Sequence, residues 1–265
     1  MKIARFAHGD QGGEVSFGVV GGLDEHDEPT DATDISELAG HPFGPVDLTG
    51  RVFPLRDVRL LAPVLPSKIV AVGRNYADHV AEMGNTIPPE PMIFLKPSTS
   101  IVGPGDAIRL PASSEQVEHE AELAVVVGRL CKDVPVERAL EVVLGYTCAN
   151  DVSARDFQRS DGQWGRAKGF DTFCPLGPWI STGIDPADLG IMCAVGDDVR
   201  QRSSTAALLR DVATLVSWIS HVMTLLPGDV ILTGTPAGVG PLAAGDVVQV
   251  SIDGIGTLEN PVTSA

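Results

Sequence analysis

Positive charge is what this chain has least of: its 265 residues hold 19 Lys and Arg against 35 Asp and Glu, a formal net charge of −16. Nucleic acids and anionic membranes bind to basic faces, so neither is an expected partner. Long apolar runs are missing too. None approaches the length of a transmembrane helix, and the opening Met-Lys-Ile-Ala-Arg-Phe is no signal peptide. The four cysteines (Cys131, Cys148, Cys174, Cys193) are scattered and form no Cys-x-x-Cys pair. That pattern fits buried, reduced thiols in a cytoplasmic protein. Several catalytic signatures are also absent. His119-Glu120 has Leu at position 123 where a zinc H-E-x-x-H motif needs histidine, and there is no Gly-x-Ser-x-Gly elbow and no Cys/His zinc spacing. The glycines from Thr233 to Gly240 are not followed by Lys-Ser/Thr, so they make no nucleotide P-loop, although their amides can cradle an anion. No repeat or low-complexity segment is found.

What is present is a hydrophobic content of 43%, with 29 Gly and 20 Pro. This suits one large β-rich domain with a small appendage. Residues 1–62 form the small N-terminal unit, with strands at Ile3 to Phe6 and Glu14 to Val20 around a Gly-rich turn, then an acidic loop from Asp24 to Asp34. His8, His26 and His41 are isolated and are read as surface residues. Residues 63–265 follow the punctuation of Pro63 and Pro66. Strands are expected at Lys68 to Gly73, Pro91 to Lys96, Ala107 to Leu110, Glu122 to Gly128, Gly145 to Asn150, Val247 to Ile252 and Gly256 to Asn260. Ile191 to Arg202 reads as a hairpin turning at Gly196-Asp197-Asp198. Helices are expected at Asp133 to Gly145, capped by Asp133, and at Asp211 to Leu225, where Val212, Leu215, Val216, Ile219 and Met223 share a face.

The chemistry centres on His119-Glu120-Ala121-Glu122-Leu123. On a strand, side chains alternate, so Glu120 and Glu122 point the same way and repel unless a positive group lies between them. A hard divalent cation answers that need, since Mg²⁺, Mn²⁺ and Ca²⁺ prefer carboxylate oxygens. A solvated acidic edge is the plain alternative, as Glu118 is also acidic. Asp151, at the end of another strand, supplies a third oxygen ligand if it does not simply cap the helical turn after it. On a short helix His79 and Glu82 are three residues apart and within reach of each other. Flanking Gly73 and Gly84 let their segment move as a unit. Lys168 lies in a loop-rich, aromatic stretch with Trp164 and Phe170.

Taken together, Val72-Gly-Arg-Asn-Tyr-Ala-Asp-His79, Phe94-Leu-Lys-Pro97, His119-Glu-Ala-Glu122-Leu, Asn150-Asp-Val-Ser-Ala-Arg-Asp156, Lys168-Gly-Phe-Asp and Pro227-Gly-Asp-Val-Ile-Leu-Thr-Gly-Thr-Pro236 resemble the fumarylacetoacetate hydrolase family. Within it the chain looks most like the branch of acylpyruvate hydrolases, oxaloacetate decarboxylases and hydroxyhepta-diene-dioate isomerases. The resemblance implies an α+β, predominantly β fold with a mixed β-roll core, a homodimer, and an Mg²⁺ or Mn²⁺ site at Glu120, Glu122 and Asp151. It implies His79 and Glu82 on a lid. It also implies contacts to a small anionic 2-oxo acid from Lys168, Arg155, Gln158 and Thr235, with Arg74 and Tyr76 alongside. The run Ser203-Ser-Thr205-Ala-Ala-Leu departs from the family's commoner pattern. The activity expected is C–C hydrolysis of an acylpyruvate through an enolate, with decarboxylation or double-bond isomerisation open to the same site.

Overall fold

The structure, a computed structural model, describes residues 1–9 and 13–264. Its main feature is a twelve-stranded sheet whose middle is the β-branched run Ala121–Val127. This strand pairs antiparallel with Val143–Asn150 on one side and Val230–Leu232 on the other. Beyond Val230–Leu232 lies Ile69–Gly73 in parallel, and then the edge strand Met92–Lys96. Alternation decides what each face of the central strand buries. Leu123, Val125 and Val127 enter one apolar cluster with Val248, Val250 and Leu258, whereas Ala124 and Val126 enter a second with Ile69, Leu176 and Val230. Burial on both faces explains why the run is apolar throughout.

The second layer is a five-stranded sheet ordered Asp198–Ser204, Gly190–Val195, Val247–Ile252, Gly256–Ser264 and Ile108–Leu110. Its first two strands are the expected hairpin, with Val195 opposite Asp198 and Gly196 at φ 57°. Among the described residues four α-helices complete the fold: α1 (Ala77–Glu82), α2 (Arg155–Ser160), α3 (Gly165–Lys168) and α4 (Val212–Val222). The last begins where its sequence says it should, because the Asp211 carboxylate accepts from the Thr214 amide at 2.8 Å. With 45% strand and 16% helix, the predominantly β reading holds.

The N-terminal unit is tied into the large sheet. Its strand Lys2–His8 pairs with Cys174–Ser181, placing Ile3 opposite Ile180. Trp179 packs with Ala4, Phe6, Val20 and Ile35, and its indole donates to the Ile255 carbonyl at 2.6 Å. Burying an aromatic of this size contributes roughly 1.5–3 kcal/mol, so the small unit docks on a strong anchor.

Three expectations need correction, and one open alternative, the cap at Asp151, is excluded. The helix from Asp133 to Gly145 is a 3-10 segment, Val136–Val142, and the chain is already extended at Val143. Asp133 is no cap, since its φ is +52°. The consecutive β-branched Val142 and Val143 favour a strand, and the Gly128 amide donates to the Val142 carbonyl at 2.7 Å. The acidic loop is shorter than expected: the Asp24 carboxylate accepts from the His26 and Glu28 amides, and a strand runs from Pro29 to Leu38. His8 is buried, bonded to Ser16 at 3.0 Å and packed on Phe53 at 4.5 Å. The helical turn after Asp151 begins only at Arg155, so Asp151 does not cap it. The expected turn after His8 falls partly on residues 10–12, outside the described residues. All four cysteines are buried and unpaired, as expected.

Candidate active site

Glu120 sits at a break. Val117–His119 belongs to a small three-stranded sheet and Ala121–Val127 to the large one, so the chain changes sheet at this residue. The break is stitched to the neighbouring strand end: the Glu120 amide donates to the Asn150 side-chain oxygen at 2.9 Å, and the Asp151 amide donates to the Glu120 carbonyl at 2.8 Å. Ala121 stands opposite Asn150 and Glu122 opposite Ala149. This register brings the three expected carboxylates together. One oxygen from each of Glu120, Glu122 and Asp151 lies within 4.8 Å of the others, and all three residues are buried.

Buried carboxylates need compensation. Lys168 supplies part of it, with Nζ 2.6 Å from Glu120 Oε2 and 2.7 Å from Asp151 Oδ2. Lys96 bonds the other oxygen of Asp151. Arg155 pairs with Glu120 at 2.6 Å and with Glu118 at 2.7 Å. Burial opposes the charge on Glu120, but Lys168 and Arg155 outweigh it and hold its carboxyl well below the usual range. Burial likewise opposes the Lys168 ammonium, and Asp151 and Glu120 more than restore it.

Glu122 is different. It accepts from the Gly234 amide at 2.7 Å, and among the described residues no Lys, Arg or His comes within ion-pair reach. Burial, then Asp151 and Glu120, push its carboxyl well above the ordinary value. An all-oxygen donor set with one carboxylate lacking a positive partner fits a hard divalent cation.

Across the same cavity lies α1. Its His79 is buried, and Nδ1 is 3.2 Å from Glu82 Oε2. A carboxylate only accepts, so in the neutral ring Nδ1 carries the hydrogen and Nε2 is left with a lone pair. Glu82 is held in turn by the Gly238 amide at 2.9 Å. The cavity has a volume of about 250 Å³ and is lined by nine of the expected residues: Arg74, His79, Glu120, Glu122, Asp151, Arg155, Gln158, Lys168 and Thr235. Glu82 backs His79 without lining it. Tyr76 is fully buried and does not line it either; among the described residues its hydroxyl has no partner, and burial followed by the Glu122 charge raises its pKa. The hydroxyl of Thr235 donates to the Ala121 carbonyl at 2.8 Å, and Gln158 accepts from Arg155 at 2.8 Å. The glycine-rich loop cradles anions that belong to the protein itself, namely Glu122 and Glu82.

Some residues of the site were not singled out from sequence. Lys96 carried one signal, as a lysine closing an apolar strand, and Asn150 directly precedes Asp151. Gln201 carried none. It is fully buried, with Oε1 accepting from Ala121 N (3.0 Å) and near His119 Nδ1 (3.1 Å), while Nε2 donates to Thr235 Oγ1 (2.7 Å) and the Pro236 carbonyl (2.8 Å). It thus joins the glutamate strand to the glycine-rich loop.

Known proteins resemble this chain over its whole length. The fumarylacetoacetate (FAA) hydrolase C-terminal family matches residues 68–263, and the Rv2993c-like N-terminal family matches residues 1–63. The crystal structure of 5-carboxymethyl-2-hydroxymuconate delta-isomerase from Mycobacterium smegmatis is 56% identical, with a TM-score of 0.92 over 100% of both chains. A mitochondrial oxaloacetate tautomerase of Xenopus laevis is 46% identical over 230 residues, 82% of this chain and 72% of that one. The maleylpyruvate hydrolase of Sphingobium sp. SYK-6, solved with manganese(II) and pyruvate, is 34% identical with a TM-score of 0.79 over 100% of both chains. With its catalytic-domain match, its paired N-terminal match and its fold, the chain is a member of the fumarylacetoacetate hydrolase family.

Proposed function

We propose that the protein is a divalent-metal-dependent enzyme that forms the enolate of a 2-oxo or 2,4-dioxo acid and controls the proton at C3. The observation that carries this is the placement of His79, backed by Glu82, and of the three-carboxylate cluster on one cavity. Mg²⁺ or Mn²⁺ held by Glu120, Glu122 and Asp151 would supply a Lewis acid for the developing enolate oxygen. His79 Nε2, with its lone pair, takes the proton, and Glu82 orients the ring and steadies the charge that results. Lys168, itself buried, adds a fixed positive charge beside the carboxylates. Returning the proton at carbon gives keto–enol or double-bond isomerisation, which needs no further group. Similarity to proteins named as an isomerase and a tautomerase supports this reading first.

Cleavage of an acylpyruvate is the second reading, favoured by similarity to the maleylpyruvate hydrolase. It needs a water directed at the C4 carbonyl, and His79 is the base placed to activate it. To test both, enol–keto conversion of oxaloacetate and cleavage of acetylpyruvate and fumarylpyruvate would be followed with Mg²⁺, with Mn²⁺ and with EDTA. Turnover of at least one substrate should appear with metal, vanish in EDTA and return when metal is restored. Full turnover in excess EDTA would sink the proposal.

A further inference from the structure

Gln201 belongs to neither the carboxylate cluster nor the histidine pair, yet it is bonded to the supports of both. It lies on Asp198–Ser204, the edge strand of the second sheet, where Val199, Arg200 and Arg202 around it are exposed and it is fully buried. A bulge precedes it: Cys193 stands opposite Gln201 and Ala194 opposite Val199, which leaves Arg200 without a partner. An extra residue of this kind re-aims the neighbouring side chain and is common beside active sites. Here it points an amide between the strand of Glu122 and the loop from Thr233 to Gly240. That amide is used to capacity, with two lone pairs and two hydrogens all engaged. Its oxygen takes the Ala121 amide and His119 Nδ1, and its nitrogen gives to Thr235 Oγ1 and to the Pro236 carbonyl. A backbone N–H on one side and a backbone C=O on the other fix which way round it sits.

The anchor falls where the loop has least else. Before Pro236, the Thr233 and Thr235 hydroxyls bond to Leu123 and Ala121 of the central strand; beyond it, Gly240 pairs opposite His119. Between these points the described residues supply two bonds, from Gln201 to Pro236 and from the Gly238 amide to Glu82. Gly238 also rests on the same strand, since a Cβ there would lie 3.3 Å from Gln201 Cα. Without the Gln201 amide, residues 236–239 can swing between two fixed ends, and Glu82 loses the donor that holds it. The carboxylate cluster keeps the Gly234 amide, Lys168, Arg155 and Lys96. We infer that Gln201 is a positioning residue for the base: through Pro236 and the Gly238 amide it keeps Glu82, and with it His79, in register with the three carboxylates. This rests on the reading of His79 as the base of an enolate-forming site.

Gln201→Met removes the amide at similar side-chain length. The stoichiometry of Mn²⁺ binding in calorimetry counts the folded molecules, and enol–keto conversion of oxaloacetate is followed on the Mn²⁺-loaded protein. Per folded molecule kcat should fall by about 10- to 100-fold, the cost of misplacing a reacting group by roughly 1 Å, with KM and Mn²⁺ affinity as in wild type. In a Glu82→Ala background nothing is left to position, so the same substitution should lower kcat by less than about threefold. Losses that multiply independently, or a variant that is less stable but keeps wild-type kcat, would overturn the assignment. If Gln201→Met does not fold, Gln201→Glu keeps the shape and the oxygen facing Ala121 but cannot donate to both Thr235 and Pro236. Its kcat should fall likewise, and a wild-type kcat would overturn the assignment. Hydrogen exchange gives a readout independent of turnover: the Gly238 amide should exchange at least roughly tenfold faster in the variant, while the amides of Ala121–Val127 keep their protection. Unchanged exchange at Gly238 would overturn the positioning role. Faster exchange there, with no conversion of oxaloacetate by wild type, would leave that role standing and count against the enolate reading.

Discussion

Replacing Lys168 by Met tests the charge cluster most directly, because the side chains have similar length and only the charge is lost. Lys168 is 2% exposed and bridges Glu120 and Asp151 at 2.6 and 2.7 Å. Removing one partner of a buried ion pair costs about 3–5 kcal/mol. The lower end applies here, since Glu120 keeps Arg155 and Asp151 keeps Lys96. For a chain of this size 1 kcal/mol moves the melting midpoint by about 2–4 °C, so a loss of about 3 kcal/mol lowers it by roughly 6–12 °C in EDTA. Saturating Mn²⁺ should recover more in the variant than in wild type, because loss of the ammonium frees two carboxylate oxygens for a cation. The assay is thermal unfolding of both proteins in EDTA and in Mn²⁺. A drop in EDTA below about 2 °C would refute the ionic role of Lys168. A Mn²⁺ shift no larger in the variant would refute the claim that Lys168 competes with the cation for these oxygens, and no Mn²⁺ shift in either protein would refute the claim that these carboxylates hold a cation.

His79→Ala should lower turnover by about 10²–10⁴-fold, the range for a positioned general base, while Mn²⁺ affinity, measured by calorimetry, stays the same. The loss should be greater for acylpyruvate cleavage than for oxaloacetate decarboxylation; equal losses would make His79 a positioning residue. In the N-terminal unit, the Arg51 guanidinium holds the buried Glu37 carboxyl down to about 2, against burial and with help from Thr49 and Ser16. A depressed carboxyl stabilises the fold above its ordinary value of 4.5 and loses that contribution as pH falls toward about 2. The midpoint difference between wild type and Glu37→Gln should therefore shrink across that window, and a difference that stays constant would remove the assigned cause.

The parts of the site that lie close in sequence were legible from it. Glu120 and Glu122 are two residues apart where a strand begins, and His79 and Glu82 share a helix face, so local spacing alone brings each pair together. Asp151 became legible through its position at a strand end. Local pattern failed where distant partners decide the outcome. The stretch from Asp133 to Gly145 has helical composition, yet Gly128 claims Val142 for the sheet and the Ser220 hydroxyl accepts from the Val134 amide at 2.9 Å. Gln201 lies 80 residues from Ala121, and nothing near it in sequence marks a buried amide as a junction. His8 was misread for the same reason: its partners, Glu37 and Phe53, come from other strands.

The loop from Thr233 to Gly240 gives the site its internal logic. The Gly234 amide holds Glu122 of the carboxylate cluster, and four residues later the Gly238 amide holds Glu82 of the histidine pair. Both glycines have φ near +100°, and a Cβ at Gly238 would lie 2.1 Å from the Arg200 carbonyl oxygen, so no side chain fits there. The Thr233 hydroxyl donates to the Leu123 carbonyl, the Thr235 hydroxyl to the Ala121 carbonyl, and Gln201 fixes Pro236. One rigid backbone segment therefore sets the position of a carboxylate in each half of the site. Moving α1 outward would break the Gly238–Glu82 bond but leave Glu122 in place. The carboxylate cluster is thus held by bonds that do not pass through α1, whereas the histidine pair depends on the Gly238 amide.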